Sequence, residues 1–409
     1  MFKNLIKAKK RSYWRRFVNE LSRETSMSTL WNTARRMRNR VVANENEEYS
    51  NQWILNFAKK VCPDTVSAQK ITRDVFSEQS VMELPFSITE LSTALLTCNN
   101  NAPGLDKIKF HLLKNLPDNA KKLLLDLYNN FFELNIIPHD WRQVKVIAIQ
   151  KPGKPASNHD SYRPIAMLSC IRKLFEKMIL YRLHHWVESN NLLSHTQFGF
   201  RRTKGTNDCL ALLSTEIQLA FAQKEQMASV FLDIKGAFDS VSINVLSDKL
   251  HQKGLPPKFN NFLYNLLSEK HMHFSHGSLS AFRLSYMGLP QGSCLSPLLY
   301  NFYVNDIDAC LANSCTIRQF ADDSVISATG PRASDLQRPL QDTLNNLTNW
   351  AIQLGIAFSV EKTEFVVFSR KHEPAQLQLM LVGEPIAQVL VHKYLGVWFD
   401  SKCTWKSHI

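Results

Sequence analysis

The chain has 409 residues, room for roughly two to three compact units, and its 44% hydrophobic content supports an ordinary buried core and excludes wholesale disorder. The formal net charge of +13 favours a polyanionic partner, because neutralised phosphates release counterions and steer encounter. No stretch approaches the ~18 apolar residues that a membrane span needs, and eight scattered cysteines without a CxxC pair argue for free thiols rather than a zinc site.

The charge is concentrated at the start. Residues 1–42 carry twelve Lys or Arg, Arg35 and Arg36 among them, against Glu20 and Glu24. A solvated helix face would mix signs, so this run is read as a nucleic-acid contact. The opening MFKNLIKAKKRSYWRRF lacks a secretory apolar region, and its basic character continues past the length of a transit peptide. Residues 1–80 read as polar helices, with Trp14, Phe17 and Leu21 at helical spacing. A helix start follows at Ser87, with Glu90 three residues on as its capping-box partner. Residues 99–104 break that helix, and an amphipathic one runs through Leu123, Leu124, Leu127 and Phe131. Val144–Ile149 predicts a strand, residues 151–164 a loop rich in Pro, Gly and Lys, and residues 171–187 a helix.

The second half alternates element types. Residues 228–234 predict a strand, 241–252 and 258–268 helices, and 271–287 a hairpin. Pro297 suits the first position of a helix through Leu298, Leu299, Phe302 and Val304. Residues 315–329 predict strand–turn–strand, 335–353 a helix, 356–369 a strand pair and 394–399 a last strand. Such interleaving predicts an α+β sheet with helices on one face.

Carboxylates interrupt two of the apolar strands. Asp233 ends VFLD before a glycine turn, and Asp322 and Asp323 sit in the middle of IRQFADDSVIS. A lone DD pair is more often a solvated turn. Apolar flanks and a partner Asp about ninety residues earlier reverse that preference. Carboxylates within a half-buried hairpin are costly unless a cation meets them. Mg²⁺ takes oxygen ligands and bridges to phosphates, and two such ions ~3.5–4 Å apart can activate a hydroxyl and stabilise a leaving pyrophosphate. Adjacent Asp side chains in an extended strand diverge, so both serve one site only if the chain turns there.

The blocks FLDIKGAFDSV, GLPQGSCLSPLLYNFYVNDI, QFADDSVI, GIAFSVEKTEFVVFS and KYLGVWFD occur in one order. With NAPGLDKI, KPGKP, YRPIAMLSCIRKLFEKMI and QFGFRR upstream, the chain resembles the reverse transcriptases of non-LTR, LINE-type retrotransposons, with a jockey-like flavour. The resemblance spans roughly residues 80–400. It implies an α+β right-hand polymerase with fingers and palm, an antiparallel palm sheet backed by helices, and a thumb largely missing. The implied divisions are a basic helical extension over 1–80, a fingers extension over 81–135, the reverse transcriptase domain over 136–400 and the start of a thumb over 401–409. A fragment of a longer polyprotein, without its endonuclease and C-terminal domains, is the expectation.

What the resemblance implies for individual residues is specific. Asp233, Asp322 and Asp323 hold two Mg²⁺ ions, with Mn²⁺ as a substitute, and the backbone carbonyl of Ile234 completes a metal shell. Phe238 lies under the incoming sugar and excludes a 2′-hydroxyl, while Asp239 caps a helix. Gln291 and Gly292 lie beside the nucleotide. Arg163, Lys151 and Lys154 resemble residues that neutralise the triphosphate, although the two lysines are equally readable as solvated loop charges. Arg201 and Arg202 touch template phosphates. Lys362 protonates the departing pyrophosphate, and Ser359 stands where the family usually has Asn. Tyr394, Leu395 and Gly396 resemble a primer grip.

The implied activity is RNA-directed DNA synthesis on an RNA template and DNA primer from dNTPs, without a membrane partner, in the nucleus and/or cytoplasm. A catalytically silent relic that only binds nucleic acid is the alternative. A group II intron-type maturase and a viral RNA-dependent RNA polymerase remain further alternatives; the latter would normally carry a glycine before the DD pair.

Overall fold

A computed structural model describes residues 51–64, 80–99 and 102–408. The basic run, with Arg35, Arg36, Trp14, Phe17 and Leu21, lies outside the described residues.

The helices are α1 (Asn51–Val61), α2 (Ile88–Thr97), α3 (Phe110–Lys114), α4 (Asp118–Glu133), α5 (His139–Arg142), α6 (Cys170–Ser189), α7 (Thr206–Ala222), α8 (Ile243–Gln252), α9 (Pro257–Leu267), α10 (Ser296–Tyr303) and α11 (Ala333–Leu354). The strands are β1 (Gln143–Gln150), β2 (Tyr162–Met167), β3 (Gln226–Leu232), β4 (Lys270–His276), β5 (Leu279–Ser285), β6 (Cys315–Phe320), β7 (Asp323–Gly330), β8 (Glu364–Phe368), β9 (Met380–Leu381), β10 (Glu384–Pro385), β11 (Ala387–Gln388), β12 (Val391–Tyr394) and β13 (Val397–Asp400). Two main sheets result, one ordered β2-β1-β4-β5 and one ordered β11-β8-β3-β7-β6. This is the α+β fingers-and-palm arrangement that the sequence implies. Among the described residues no helix is long and apolar enough to cross a membrane, and all eight cysteines are free thiols.

The second sheet is built around β3. Its seven residues are all buried, which explains why QMASVFL reads as a continuous run rather than an alternation. Alternate side chains still serve opposite faces: Ala228, Val230 and Leu232 join one core, Met227 and Phe231 the other. The expectation of helices on one face is therefore corrected. α11 packs on β7, while α7 covers the opposite face against β3 and β6 through Cys209, Leu213, Ile217 and Ala220. The sequence reading did not assign α7, whose apolar face is only a narrow stripe of a mixed TNDCLALLSTEIQLAFA run.

Other differences have local causes. β2 occupies what reads as loop, because Pro164 and Gly153 punctuate a segment that nevertheless pairs with β1 from the sheet edge, where proline is tolerated. Residues 356–369 supply one strand, β8, preceded by a 3₁₀ turn at Val360–Lys362 rather than a second strand. Residues 391–400 form a hairpin, not a single strand: Leu395 and Gly396 at its tip both have positive φ, 47° and 90°. α1 docks on the first sheet, with Trp53 and Phe57 against Tyr162, Phe274 and His276, so the compact unit begins at Asn51.

The long helix α6 carries a buried ion pair. Ser169 caps it by accepting from Ile171 N at 3.2 Å, and Gly104 of the NAPG block lies so close that a Cβ would stand 2.6 Å from Ser169 N. One turn on, Arg172 Nε donates to Glu176 Oε1 at 2.7 Å with both side chains essentially inaccessible. Ser293 Oγ donates to the other Glu176 oxygen at 2.7 Å, tying α6 to the loop before α10. Removing the cation would strand the carboxylate in the core, so Arg172→Ala is expected to lower stability by about 3–5 kcal/mol. Urea unfolding with an unchanged m-value would show it; a loss under about 1 kcal/mol would mean that the pair is solvated.

Candidate active site

The register of β3 on β7 ends at Leu232 opposite Ser324, so Asp233 leaves β3 directly beside the β6–β7 turn. That turn is two residues long: Phe320 pairs with Asp323, and Ala321 and Asp322 connect them. Ala321 takes φ +60° while Asp322 does not turn positive, the sign pattern of a type II′ hairpin. The chain thus bends between the two aspartates, as the shared-site reading requires. On its other side the Asp233 segment meets the β8 approach. Ser359 N donates to the Asp233 carbonyl at 2.8 Å and Lys235 N to the Ala357 carbonyl at 2.8 Å, with Ile234 opposite Phe358 between them. Neither of these bonds uses the Ile234 carbonyl. Ser359 acts here through its main chain, accepting also from Thr363 Oγ1 at 2.8 Å, so serine in place of asparagine leaves the loop formed.

That loop carries Lys362 to Asp233, with Nζ 2.9 Å from Oδ2. Asp233, Asp323, Lys362, His392 and Tyr394 line one cleft of about 200 Å³. Burial, then the negative charges of Asp322 and Asp233, push the Asp323 carboxyl up to about 6. Burial and Asp233 likewise raise Asp322, against the opposing pull of Lys362. The three carboxylates therefore feel one another, but among the described residues no group of three or more His, Cys, Asp or Glu side chains is drawn into a ready-made metal cage. The Lys362 ammonium is the cation on Asp233. The donor set still fits divalent ions: hard oxygens, crowded anions and raised proton affinity are what a bound cation relieves.

Phe238 stacks on Tyr300 of α10, centroids 4.8 Å apart at 25°. Its carbonyl accepts from Leu289 N, and the Val241 carbonyl from Gly288 N, each at 2.8 Å. The GLPQG loop is thus pinned on the Asp233–Val241 segment. A Cβ at Gly288, φ +81°, would stand 2.8 Å from the Asp239 carbonyl, and one at Gly292 2.1 Å from the Ala166 carbonyl. Asp239 is not the helix cap; Ser242 is, accepting from Val245 N at 3.4 Å. Asp239 instead accepts from Gln291 Nε2 at 3.4 Å, and burial pushes its carboxyl up to about 7.

A cluster of cations surrounds Lys151. Lys151 donates to the Asp160 carbonyl at 3.0 Å. Its proton affinity is lowered by burial and then by Lys60, Lys362 and Arg163, so the four positive charges crowd one another. Arg163 is exposed on β2 opposite Ile149, and Lys154 is exposed in the loop. Lys60 was not selected from the sequence; it sits on α1, upstream of every block of the resemblance, and pairs with Asp160.

Two of the residues expected at the nucleic acid have partners within the chain. The Arg201 guanidinium is spent inside the protein, on Glu188 at 2.7 Å and the Ser194 carbonyl at 3.0 Å, whereas Arg202 is exposed. Tyr394 is 3% exposed with its hydroxyl 3.3 Å from Cys209 Sγ, so only Leu395 and Gly396 of that trio reach the surface. Both placements depend on a local neutraliser or core that the linear sequence does not display. Tyr300, the stacking partner of Phe238, was also not picked out.

Comparison with known proteins identifies the family. The family described as "Reverse transcriptase (RNA-dependent DNA polymerase)" matches residues 149–399. A protein named "Probable RNA-directed DNA polymerase from transposon X-element" of Drosophila melanogaster is 32% identical, over 83% of this chain and 38% of its own length. The "RNA-directed DNA polymerase from mobile element jockey" of the same species is 28% identical, over 87% of this chain and 40% of its own. The chain therefore spans less than half the length of these relatives.

The electrostatics carry a pH signature. The folded Asp323 carboxyl holds its proton up to about 6 against an ordinary 3.8. The native state thus binds the extra proton across that window, and stability falls as pH rises through it. Asp323→Asn is expected to raise the urea midpoint of the metal-free protein near pH 8 and to lose that advantage near pH 4. An advantage equal at both pH values would contradict the shift.

Proposed function

Because this chain belongs to the reverse transcriptase family, we propose that it is the polymerase core of a non-LTR retrotransposon, extending a primer 3′-hydroxyl with dNTPs under the direction of an RNA template. One observation carries the reading: Asp233 and Asp323 line a cleft with Lys362, the Asp322 charge acts on Asp323, and the charges of Lys362 and Arg163 act on Lys151. Acids that favour divalent cations beside bases that favour phosphate suit a nucleoside triphosphate approaching a hydroxyl.

Asp233 and Asp322 would hold Mg²⁺, or Mn²⁺ in its place, with Asp323 the weaker ligand and the Ile234 carbonyl completing the shell. Bound there, the ions would lower the pKa of the primer hydroxyl and neutralise developing charge on the phosphates. The chain's own groups do the rest. Arg163 and Lys151 offset triphosphate charge. Lys362, released from Asp233 as divalent charge enters, is placed to protonate the departing pyrophosphate. Phe238, braced by Tyr300, closes the space that a 2′-hydroxyl would occupy. Gln291 is held toward that pocket by Asp239. Arg202 and the Leu395–Gly396 tip are surface groups suited to template and primer.

Primer extension on poly(rA)/oligo(dT) with Mg²⁺ tests the reading. The parent chain should incorporate dTMP, and Asp322→Asn should lower kcat by at least about 100-fold. RNA binding without incorporation by the parent would leave only a binding role. Run with ribonucleotides, Phe238→Ala should relax sugar discrimination by roughly tenfold or more; unchanged discrimination would retire the gate.

A further inference from the structure

We propose that Gln197 is a positioning residue: its side chain clamps the strained turn that presents Asp322. The inference rests on the reading of Asp322 as a working carboxylate.

Ala321 is a difficult residue to leave unsupported. A left-handed backbone is unfavourable for any residue with a Cβ. With only 7% of its surface accessible, its peptide groups cannot rely on water. The β6–β7 ladder ends at the Phe320–Asp323 rung, so another element must supply the partners. One side chain supplies both. Gln197, 2% exposed, accepts from Ala321 N at 3.0 Å through Oε1 and donates to the Ala321 carbonyl at 3.4 Å through Nε2. The same Oε1 accepts from Gly199 N at 2.8 Å, which fixes the orientation of the carboxamide.

The surroundings hold the clamp still. Segment 196–198 adds to the edge of β6 as a short parallel bridge. Phe198 N donates to the Gln319 carbonyl at 2.8 Å and Gln319 N to the Thr196 carbonyl at 2.9 Å. Gly199 lies against the turn itself: a Cβ there would stand 2.2 Å from Ala321 N. Its carbonyl accepts from Asn301 Nδ2 at 2.7 Å, from a side chain 1% exposed on α10. α10 also carries Tyr300 under Phe238, so turn and sugar pocket share one support. The Gln-Phe-Gly spacing is thereby explained: glutamine clamps the turn, and glycine leaves room for it. Arg201, three residues on from Phe198, pins the same segment to α6 through Glu188.

Glutamine buried in a core could be packing alone, and the two roles differ in what they predict. If the clamp holds Asp322, Gln197→Ala should lower kcat in primer extension by about 10- to 100-fold, since an ångström of misplacement costs that much. The KM for dTTP should change by less than about threefold, because Lys151 and Arg163 are untouched. Adding Ala321→Gly should recover at least about half of the logarithmic loss, because glycine keeps positive φ without a clamp. Wild-type kcat in Gln197→Ala, or a loss that Ala321→Gly does not relieve, overturns the proposal. A second measurement needs no catalysis: in Gln197→Ala the Ala321 and Asp322 amides should exchange hydrogen at least about tenfold faster, with β3 amides unchanged. Equal exchange overturns the clamp whatever the activity; faster exchange in a chain that never incorporates nucleotide keeps the clamp and retires the polymerase reading.

Discussion

The organising constraint of this molecule is the repulsion among Asp233, Asp322 and Asp323. Burial raises the proton affinity of Asp322 and Asp323, and the neighbouring negative charges add to the effect. Such an arrangement costs stability and survives because the surrounding structure forces it. Asp233 is delivered by β3, whose every residue is buried and whose two neighbours pair with it antiparallel. Asp322 and Asp323 are delivered by a two-residue turn whose left-handed alanine is held from outside. Lys362 offsets part of the charge through Asp233, and the charges of Lys60, Lys362 and Arg163 act on Lys151 nearby.

The rest of the fold serves this placement. Cores on both faces of the second sheet fix the strand ends, and α7 supplies the face that makes β3 interior. The GLPQG loop bridges the sheets, reaching the Asp233 segment through Gly288 and Leu289 and β2 through Gly292. Its glycines are demanded by neighbouring carbonyls at those two positions. Phe238 and Tyr300 stack where that loop meets α10.

Much of this was legible in the sequence, and the reasons are local. The Ser87–Glu90 capping box formed as its spacing implies, with Glu90 N donating to Ser87 Oγ at 3.2 Å. The apolar runs gave β3, β6 and β7, and the doubled aspartate gave the turn. What escaped was set by tertiary partners. β2 was hidden by its proline, and α7 by a weak apolar stripe whose burial comes from the sheet it covers. Arg201 looked like a free cation until Glu188, thirteen residues earlier, was seen beside it, and Tyr394 looked like a surface contact although its ring belongs to a core. Gln197, Tyr300 and Lys60 carry no signal alone; each acts through a residue distant in the chain.

The central claim is that the carboxylates of β3 and the β6–β7 turn jointly take divalent ions in contact with a triphosphate. A crystal structure of the chain with Mn²⁺, dTTP and an RNA–DNA duplex whose primer lacks its 3′-hydroxyl tests it most directly, because manganese reports its own position by anomalous scattering. Manganese should lie between Asp233 and Asp322, with the triphosphate reaching toward Arg163 and Lys151. Manganese bound elsewhere, with Lys362 still on Asp233 and the cleft free of nucleotide, would contradict it.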